Sequence, residues 1–158
     1  MTREQIRAIL ADVTDPEIPV LTLEDLGVIR DVIIRDDTVE VVITPTYSGC
    51  PATDLMSRDI VRALRGAGVE NVIITRRIDP PWTTDLLSDE AKQKLKDYGI
   101  APPVWMREDQ SVADITVPCP RCGSTRTELI SEFGSTACKA LYRCQDCLEP
   151  FDHFKCHR

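Results

Sequence analysis

The sequence predicts an α+β domain followed by a small cysteine-rich module. Helical and β-branched segments alternate in the order α-β-β-α-β-α before Ala101, and six of the seven cysteines fall in the last forty residues. The segment Ala101-Pro102-Pro103 marks the break between these two compositions. We therefore expect a domain over residues 1–103, with helices packed on a small mixed sheet, and a separate module over residues 104–158.

The first helix is predicted to begin after Thr2, which forms a capping box with Gln5. One face of this helix is apolar, because its hydrophobic residues recur at helical spacing: Ile6, Ile9, Leu10 and Val13. The segment Asp15-Pro16-Glu17-Ile18-Pro19 ends the helix, since residues before proline avoid the helical conformation. Two β-branched runs, Val28–Ile34 and Thr38–Thr44, then predict a hairpin.

A second helix is predicted to start at Cys50, with Cys50 as its N-cap and Pro51 in its first turn. Its expected buried face consists of Leu55, Met56, Ile60, Val61 and Leu64. The short apolar run Val72–Thr75 predicts a third strand at the centre of the sheet. Ser88 is expected to cap a third helix, which ends near Gly99.

The composition of the chain argues against nucleic-acid and membrane partners. The net charge is −7, and neither part of the chain carries the basic stripe that phosphate backbones require. No apolar run reaches the length of about 18 residues that spans a bilayer, and the N-terminus lacks the apolar core of a signal peptide. We therefore expect a cytoplasmic protein without nucleic-acid or membrane partners, in which thiols stay reduced.

The cysteine tail contains two pairs at metal-ligand spacing, Cys119-Pro-Arg-Cys122 and Cys144-Gln-Asp-Cys147. A module of this size buries little apolar surface, and a tetrahedral Zn²⁺ held by two such turns would stabilise it. The pattern predicts a structural zinc ribbon with ligands Cys119, Cys122, Cys144 and Cys147. An iron–sulfur site and a redox dithiol remain alternatives.

Four further residues in the tail could replace one of these ligands: Cys138, Cys156, His153 and His157. We expect Cys138 to be a buried small hydrophobe, because cysteines outside disulfides and metal sites often have that role. The two histidines are expected to be solvated near the C-terminus. A closed site of four cysteines leaves no open coordination position, so the module is predicted to be a scaffold.

Cys50 is separated from the other cysteines and lies in the segment Thr-Pro-Thr-Tyr-Ser-Gly-Cys-Pro. A helix N-terminus lowers the pKa of a thiol, so we expect a thiolate here, with a simple buried thiol as the alternative. No histidine lies near Cys50 in sequence, which argues against a Cys-His nucleophilic pair. Asp15, Glu17 and Thr84 stand in loops after regular elements and could converge on Cys50.

Three blocks of sequence resemble the SufT-like metal–sulfur cluster assembly family: Asp15–Pro19 with Asp25-Leu26-Gly27, Thr44–Pro51, and Asp79–Asp85. The tail, including Glu132-Phe133-Gly134-Ser135-Thr136, resembles the PaaD branch of that family. The resemblance implies a protein that matures or delivers iron–sulfur clusters, with Cys50 as the family's signature cysteine.

The PaaD branch belongs to phenylacetate degradation, in which a multicomponent oxygenase epoxidises phenylacetyl-CoA. The resemblance therefore implies the epoxidase components as partners, above all the reductase that carries flavin and a [2Fe–2S] cluster. It implies a transient cluster or iron at Cys50, with Asp15, Glu17 or Thr84 beside it. One thiolate cannot hold a [2Fe–2S] cluster, and a homodimer that pairs two Cys50 residues is the simplest complement.

Two functions follow from this reasoning. The first is an accessory maturation factor that depends on Cys50, and the second is a structural or regulatory subunit of the oxygenase complex. A zinc ribbon for nucleic acid is a weaker third, because the chain is acidic. The sequence shows no oxygen-activating carboxylate–histidine set and no cofactor loop, so we do not expect an enzyme.

Overall fold

A computed structural model of the chain describes residues 1–155, which divide into two units, Met1–Ser88 and residues 89–155. The division places the third helix with the C-terminal unit. The predicted domain boundary after residue 103 stays a prediction. Within the described residues, no helix has the length and apolarity needed to cross a bilayer.

The N-terminal unit contains the first five predicted elements in the expected order, followed by a short 3-10 helix that was not predicted. These are helix α1 (Arg3–Leu10), strands β1 (Ile29–Arg35) and β2 (Thr38–Ile43), helix α2 (Thr53–Gly66), strand β3 (Asn71–Arg76) and a short 3-10 helix (Thr84–Leu86). Strands β1 and β2 pair antiparallel, and β3 pairs parallel to β2, so the sheet is mixed as expected.

The sheet order is β1-β2-β3, which corrects the prediction that β3 is central. The hairpin leaves one side of β2 open, and the α2 crossover brings β3 to that side, so β3 becomes an edge. Its burial agrees, since Ile73 is 52% exposed, whereas Val41 and Ile43 of β2 are fully buried. A short β-branched run therefore did not distinguish an edge strand from a central one.

Helix α1 begins as predicted. The Thr2 hydroxyl accepts a hydrogen bond from the Gln5 amide (3.3 Å), and the Gln5 side chain accepts one from the Thr2 amide (2.8 Å). Ile6 and Leu10 are fully buried on its inner face. The inner face of α2 contains Met56, Ile60 and Leu64, but Leu55 is 38% exposed and does not belong to it.

The C-terminal unit consists of helix α3 (Asp89–Tyr98), a 3-10 turn (Val112–Asp114) and three strands, β4 (Thr127–Ser131), β5 (Lys139–Cys144) and β6 (Pro150–Phe154). Both strand pairs are antiparallel, in the order β4-β5-β6. The β-branched segment Ile115–Val117, which precedes the first cysteine pair, does not form a strand. Pro118 follows it directly, and proline lacks the N–H that a ladder requires.

Gly27 permits a close approach between two sequence blocks of the N-terminal unit. Its φ of +68° is left-handed, and a Cβ at this position would lie 2.9 Å from Leu86 Cβ. The carbonyl of the preceding Leu26 accepts a hydrogen bond from Trp82 Nε1 (2.6 Å). The Asp25-Leu26-Gly27 turn thus contacts the segment that follows Asp79.

We predict that Gly27→Ala lowers the free energy of unfolding by about 2–4 kcal/mol, because strain at positive φ adds to the clash with Leu86. Gly68→Ala is the matched control, since Gly68 also has a positive φ (+91°) but open space around its Cβ position. It should cost only about 1 kcal/mol. Denaturant unfolding followed by Trp82 fluorescence in a Trp105→Phe background measures both, and equal losses would contradict the close approach.

Candidate functional site

The four predicted metal ligands converge in the C-terminal unit. Cys119 and Cys122 lie in the turn before β4, Cys144 ends β5, and Cys147 lies in the turn before β6. Their sulfur atoms all lie within 4.8 Å of one another, with Cys119 Sγ 3.7 Å from Cys147 Sγ and Cys122 Sγ 3.5 Å from Cys144 Sγ. Sulfurs bound to one tetrahedral zinc lie about 3.8 Å apart, given a Zn–S bond of about 2.3 Å.

The backbone shapes each cysteine turn. The Gly123 amide donates to the Cys119 carbonyl (2.9 Å), and Gly123 has the positive φ (+77°) that closes this turn. In the second turn the Cys144 amide donates to the Glu149 carbonyl (3.0 Å). The backbone N–H of Cys147 points at the Cys144 sulfur and is the main reason that the pKa of this thiol falls to about 6. By contrast, the pKa of Cys147 is raised to about 12 and that of Cys122 is also raised, so in the absence of metal the thiolate, which is the form that binds metal, is favoured at Cys144.

A polar cluster that the sequence did not reveal joins the two turns. Asp146 of the second turn accepts hydrogen bonds from the Ser124 hydroxyl and from Arg126 Nη1, the latter at 2.7 Å. The Arg126 amide also donates to Ser124 Oγ (3.0 Å). These contacts hold the two turns together in addition to the contacts between the sulfur atoms. Their sequence signal is weak, because Ser, Arg and Asp are ordinary surface residues.

Two other candidates in the tail, Cys138 and His153, lie outside the sulfur cluster. Cys138 is 3% exposed with its Sγ 3.0 Å from Thr136 Oγ1, which confirms it as a buried thiol. His153 is fully buried, so the prediction of a solvated side chain is wrong. It lies on β6 and packs edge-on against Tyr142, with ring centroids 5.6 Å apart. Cys156 and His157 lie outside the described residues.

Burial determines the chemistry of His153. Neither of its ring nitrogens has a hydrogen-bond partner in the described chain, and burial, with Lys155 as the smaller cause, lowers its pKa to about 4. The imidazole is therefore neutral at ordinary pH and contributes to the core as a flat ring. The sequence analysis missed this because it judged His153 by its nearness to the C-terminus and did not predict strand β6.

Cys50 lies in a turn rather than at the helix cap. Helix α2 begins at Thr53, with Ala52 as its N-cap, so the expected placement of Cys50 and Pro51 in the helix start is wrong. The reason is local. The Cys50 carbonyl accepts hydrogen bonds from the Thr53 hydroxyl (2.8 Å) and amide (3.2 Å), and the Cys50 amide donates to the Tyr47 carbonyl (3.1 Å). These bonds close a turn at Cys50, so helix α2 begins only at Thr53.

The pKa of the half-buried Cys50 thiol is raised, which corrects the expectation of a thiolate. Desolvation is the main cause, and the carboxylates of Glu17 and Asp15 add to it. The Ala52 amide and the Thr53 hydroxyl act in the opposite direction but do not compensate. Without a bound cation, Cys50 is therefore a protonated thiol at neutral pH.

The loop after α1 lies close enough to Cys50 to act on it electrostatically. Asp15 is 6% exposed, and its Oδ1 accepts hydrogen bonds from the amides of Glu17 (2.7 Å) and Ile18 (2.8 Å). Asp15 thereby fixes the loop that presents Glu17. Thr84 is buried at the start of the 3-10 helix, and its proximity to Cys50 stays a prediction.

Hydrogen bonds connect the three blocks that carry the resemblance. Trp82, which is 3% exposed as expected for a packed ring, donates to the Leu26 carbonyl. The Thr44 amide donates to the Val28 carbonyl (2.9 Å), which links the Cys50 segment to the end of the first block. The Thr44 hydroxyl is buried and has no hydrogen-bond partner in the described chain. Sequence reasoning did not single out Thr44.

Comparison with known protein families gives a match in each unit. Residues 3–74 match the iron–sulfur cluster assembly protein family, and residues 106–155 match the PaaD zinc β-ribbon domain. Among solved structures, a domain of unknown function from Bacillus anthracis is similar over 58% of this chain and 89% of its own, with 26% identity and a TM-score of 0.54. A conserved hypothetical protein from Thermotoga maritima is 33% identical, covering 60% of this chain and 94% of its own, with a TM-score of 0.52.

Two curated relatives extend these matches. An Fe–S protein maturation auxiliary factor of Porphyromonas gingivalis is 38% identical over 60% of this chain and 90% of its own length. An Escherichia coli (strain K12) protein named as a subunit of 1,2-phenylacetyl-CoA epoxidase is 49% identical over 96% of this chain and 92% of its own length. The chain therefore belongs to the PaaD family, and it combines an iron–sulfur cluster assembly domain with a zinc β-ribbon domain.

Proposed function

We propose that this chain is a cytoplasmic accessory protein of a phenylacetyl-CoA epoxidase system in phenylacetate degradation. In this proposal it matures or delivers the iron–sulfur cluster of the reductase component. The names of its relatives support an accessory role in iron–sulfur maturation. The observation that carries the proposal is the single half-buried thiol of Cys50, with the carboxylates of Asp15 and Glu17 acting on it.

These three residues suit a transient iron ligand set. Desolvation, with a smaller contribution from the carboxylates, keeps the thiol protonated in the absence of cargo, and a protonated thiol resists oxidation. An iron cation reverses the balance, because it is attracted by both carboxylates and displaces the thiol proton as it binds. Cys50 would supply sulfur and Glu17 oxygen, while Asp15 holds the loop in place.

An incomplete ligand set favours delivery over storage. A [2Fe–2S] cluster normally takes four protein ligands, and Cys50 supplies one thiolate. The remaining positions would come from Thr84, a small thiol, a second copy or the receiving protein. Exchange of these outside ligands provides a route by which the cluster leaves.

The cysteine cluster of the C-terminal unit would hold zinc as a structural ion. Four sulfurs at tetrahedral spacing fit Zn²⁺, which when bound crosslinks the two turns. With all four positions filled by protein, the site is closed to substrate. In this proposal the ribbon stabilises its unit and does not take part in cluster chemistry.

A structural or regulatory subunit of the oxygenase complex is the second candidate. The relative named as an epoxidase subunit favours it. This role requires docking surfaces but no thiol at position 50. The two candidates therefore differ in their dependence on Cys50.

Replacement of Cys50 by Ser should lower the iron–sulfur occupancy of the co-expressed reductase several-fold, because the proposed sulfur ligand is lost. Cys138→Ser is the control, since Cys138 is a buried thiol outside both sites. Visible absorption and iron content of the purified reductase measure occupancy. Full occupancy with Cys50→Ser would favour the subunit role instead.

The Glu17→Gln substitution should lower the pKa of Cys50, since a negative charge that disfavours the thiolate is removed. The midpoint of Cys50 alkylation by iodoacetamide should therefore move to lower pH in zinc-loaded protein, with the site of modification read by mass spectrometry. Asp12→Asn, which alters an exposed carboxylate just before this loop, should leave the midpoint in place. An unchanged midpoint with Glu17→Gln would argue against the proposed electrostatic coupling.

Cys119→Ser should abolish the binding of one zinc ion per chain and unfold the C-terminal unit, because two turns lose their crosslink. The N-terminal unit should keep its structure. Elemental analysis measures the metal, and limited proteolysis with mass spectrometry locates the unfolded region. Cys50→Ser should retain zinc, so zinc loss in that variant would contradict the division between the two sites.

A further inference from the structure

The outer edge of β3 is unpaired in the described part of the chain. Strand β2 bonds the inner edge along the whole length, from Thr38 opposite Asn71 to Ile43 opposite Arg76. The Arg77 amide donates to the Ile43 carbonyl (2.9 Å), so odd-numbered residues direct their backbone groups toward β2. The even-numbered residues therefore direct theirs outward: Val72, Ile74 and Arg76.

This edge lacks the features that usually prevent strand pairing. Exposed edges are commonly protected by proline, lysine, a bulge or an inward-pointing charge. Strand β3 reads Asn-Val-Ile-Ile-Thr-Arg, and its register with β2 is continuous, without a bulge. Ile73 is 52% exposed, and Val72 and Ile74 are only half-buried. The edge is thus competent to accept another strand.

We propose that β3 pairs antiparallel with β3 of a second copy of this chain, forming a continuous six-stranded sheet. A two-fold axis perpendicular to the sheet at Ile73 keeps the faces of both sheets aligned. Val72 then forms hydrogen-bonded pairs with Ile74 of the second copy, which uses the outward backbone groups of both strands. The two Ile73 side chains meet in a non-hydrogen-bonded pair, with Cα atoms about 4.5 Å apart.

The charges of Glu70 and Arg76 favour this register over the neighbouring one. With the axis at Ile73, Glu70 lies opposite Arg76 of the second copy, and symmetry makes two such ion pairs. Moving the axis to Ile74 would set Glu70 opposite Ile78 and Arg76 opposite Val72, which removes both ion pairs. Arg76 also contacts Asp54, but both side chains of that pair are more than half exposed, so it competes weakly. The edge is self-complementary in one register.

Sedimentation of the full zinc-loaded chain across a wide concentration range tests the proposal. The wild type should dimerise, and Ile73→Lys should weaken the dimer at least about tenfold, since two ammonium groups would meet at the axis. Ile130→Lys is the matched control, because Ile130 is also 52% exposed but lies on β4. It should leave the dimer intact.

A charge-reversal cycle tests the register separately. Glu70→Arg and Arg76→Glu should each weaken the dimer, and the double variant should restore it, because the opposite charges face each other again. A wild type that stays monomeric throughout would overturn the proposal, whether or not another protein binds this edge. A dimer whose strength is unchanged by Ile73→Lys would also overturn the proposal. Neither result bears on Cys50, so this proposal is independent of the proposed function.

Discussion

The convergence of four cysteine sulfurs is the constraint on which the C-terminal unit depends. Its buried apolar cluster is small, and two of the sulfur-bearing residues, Cys119 and Cys144, are themselves members of it. A core of this size cannot offset the entropy of ordering the chain without a crosslink. The sulfur cluster and the core are thus continuous, and a metal ion bound there would tie the turn before β4 to the turn between β5 and β6.

The core of the N-terminal unit is formed differently. This unit has a core of its own, formed by α1, α2 and the mixed sheet, and the half-buried Cys50 is not among the buried residues of that core. The Cys50 turn is held by backbone bonds to Tyr47 and Thr53, while Asp15 fixes the loop that presents Glu17. The pKa of the Cys50 thiol is raised, so this thiol is a poor nucleophile at neutral pH. The four clustered sulfurs and the sulfur of Cys50 lie in separate units.

Local sequence rules predicted those features that depend on near neighbours. The capping box of α1, the β1–β2 hairpin and the spacing of the two cysteine pairs all have short-range causes, and the structure contains each of them. Features that depend on residues distant in sequence could not be predicted from these local rules. The edge position of β3 depends on which side of β2 the crossover reaches, and the raised pKa of Cys50 depends on burial and on carboxylates more than thirty residues away.

In the proposed division of roles, zinc binds the four clustered cysteines and iron binds Cys50. X-ray absorption at both metal edges, on one anaerobic sample supplied with zinc and ferrous iron, tests it directly. We expect a zinc edge with four sulfur ligands at about 2.3 Å that is identical in wild type and Cys50→Ser. We also expect an iron edge with mixed sulfur and oxygen ligands that disappears in Cys50→Ser. Iron bound through the ribbon cysteines, or iron ligation that survives the loss of Cys50, would contradict it.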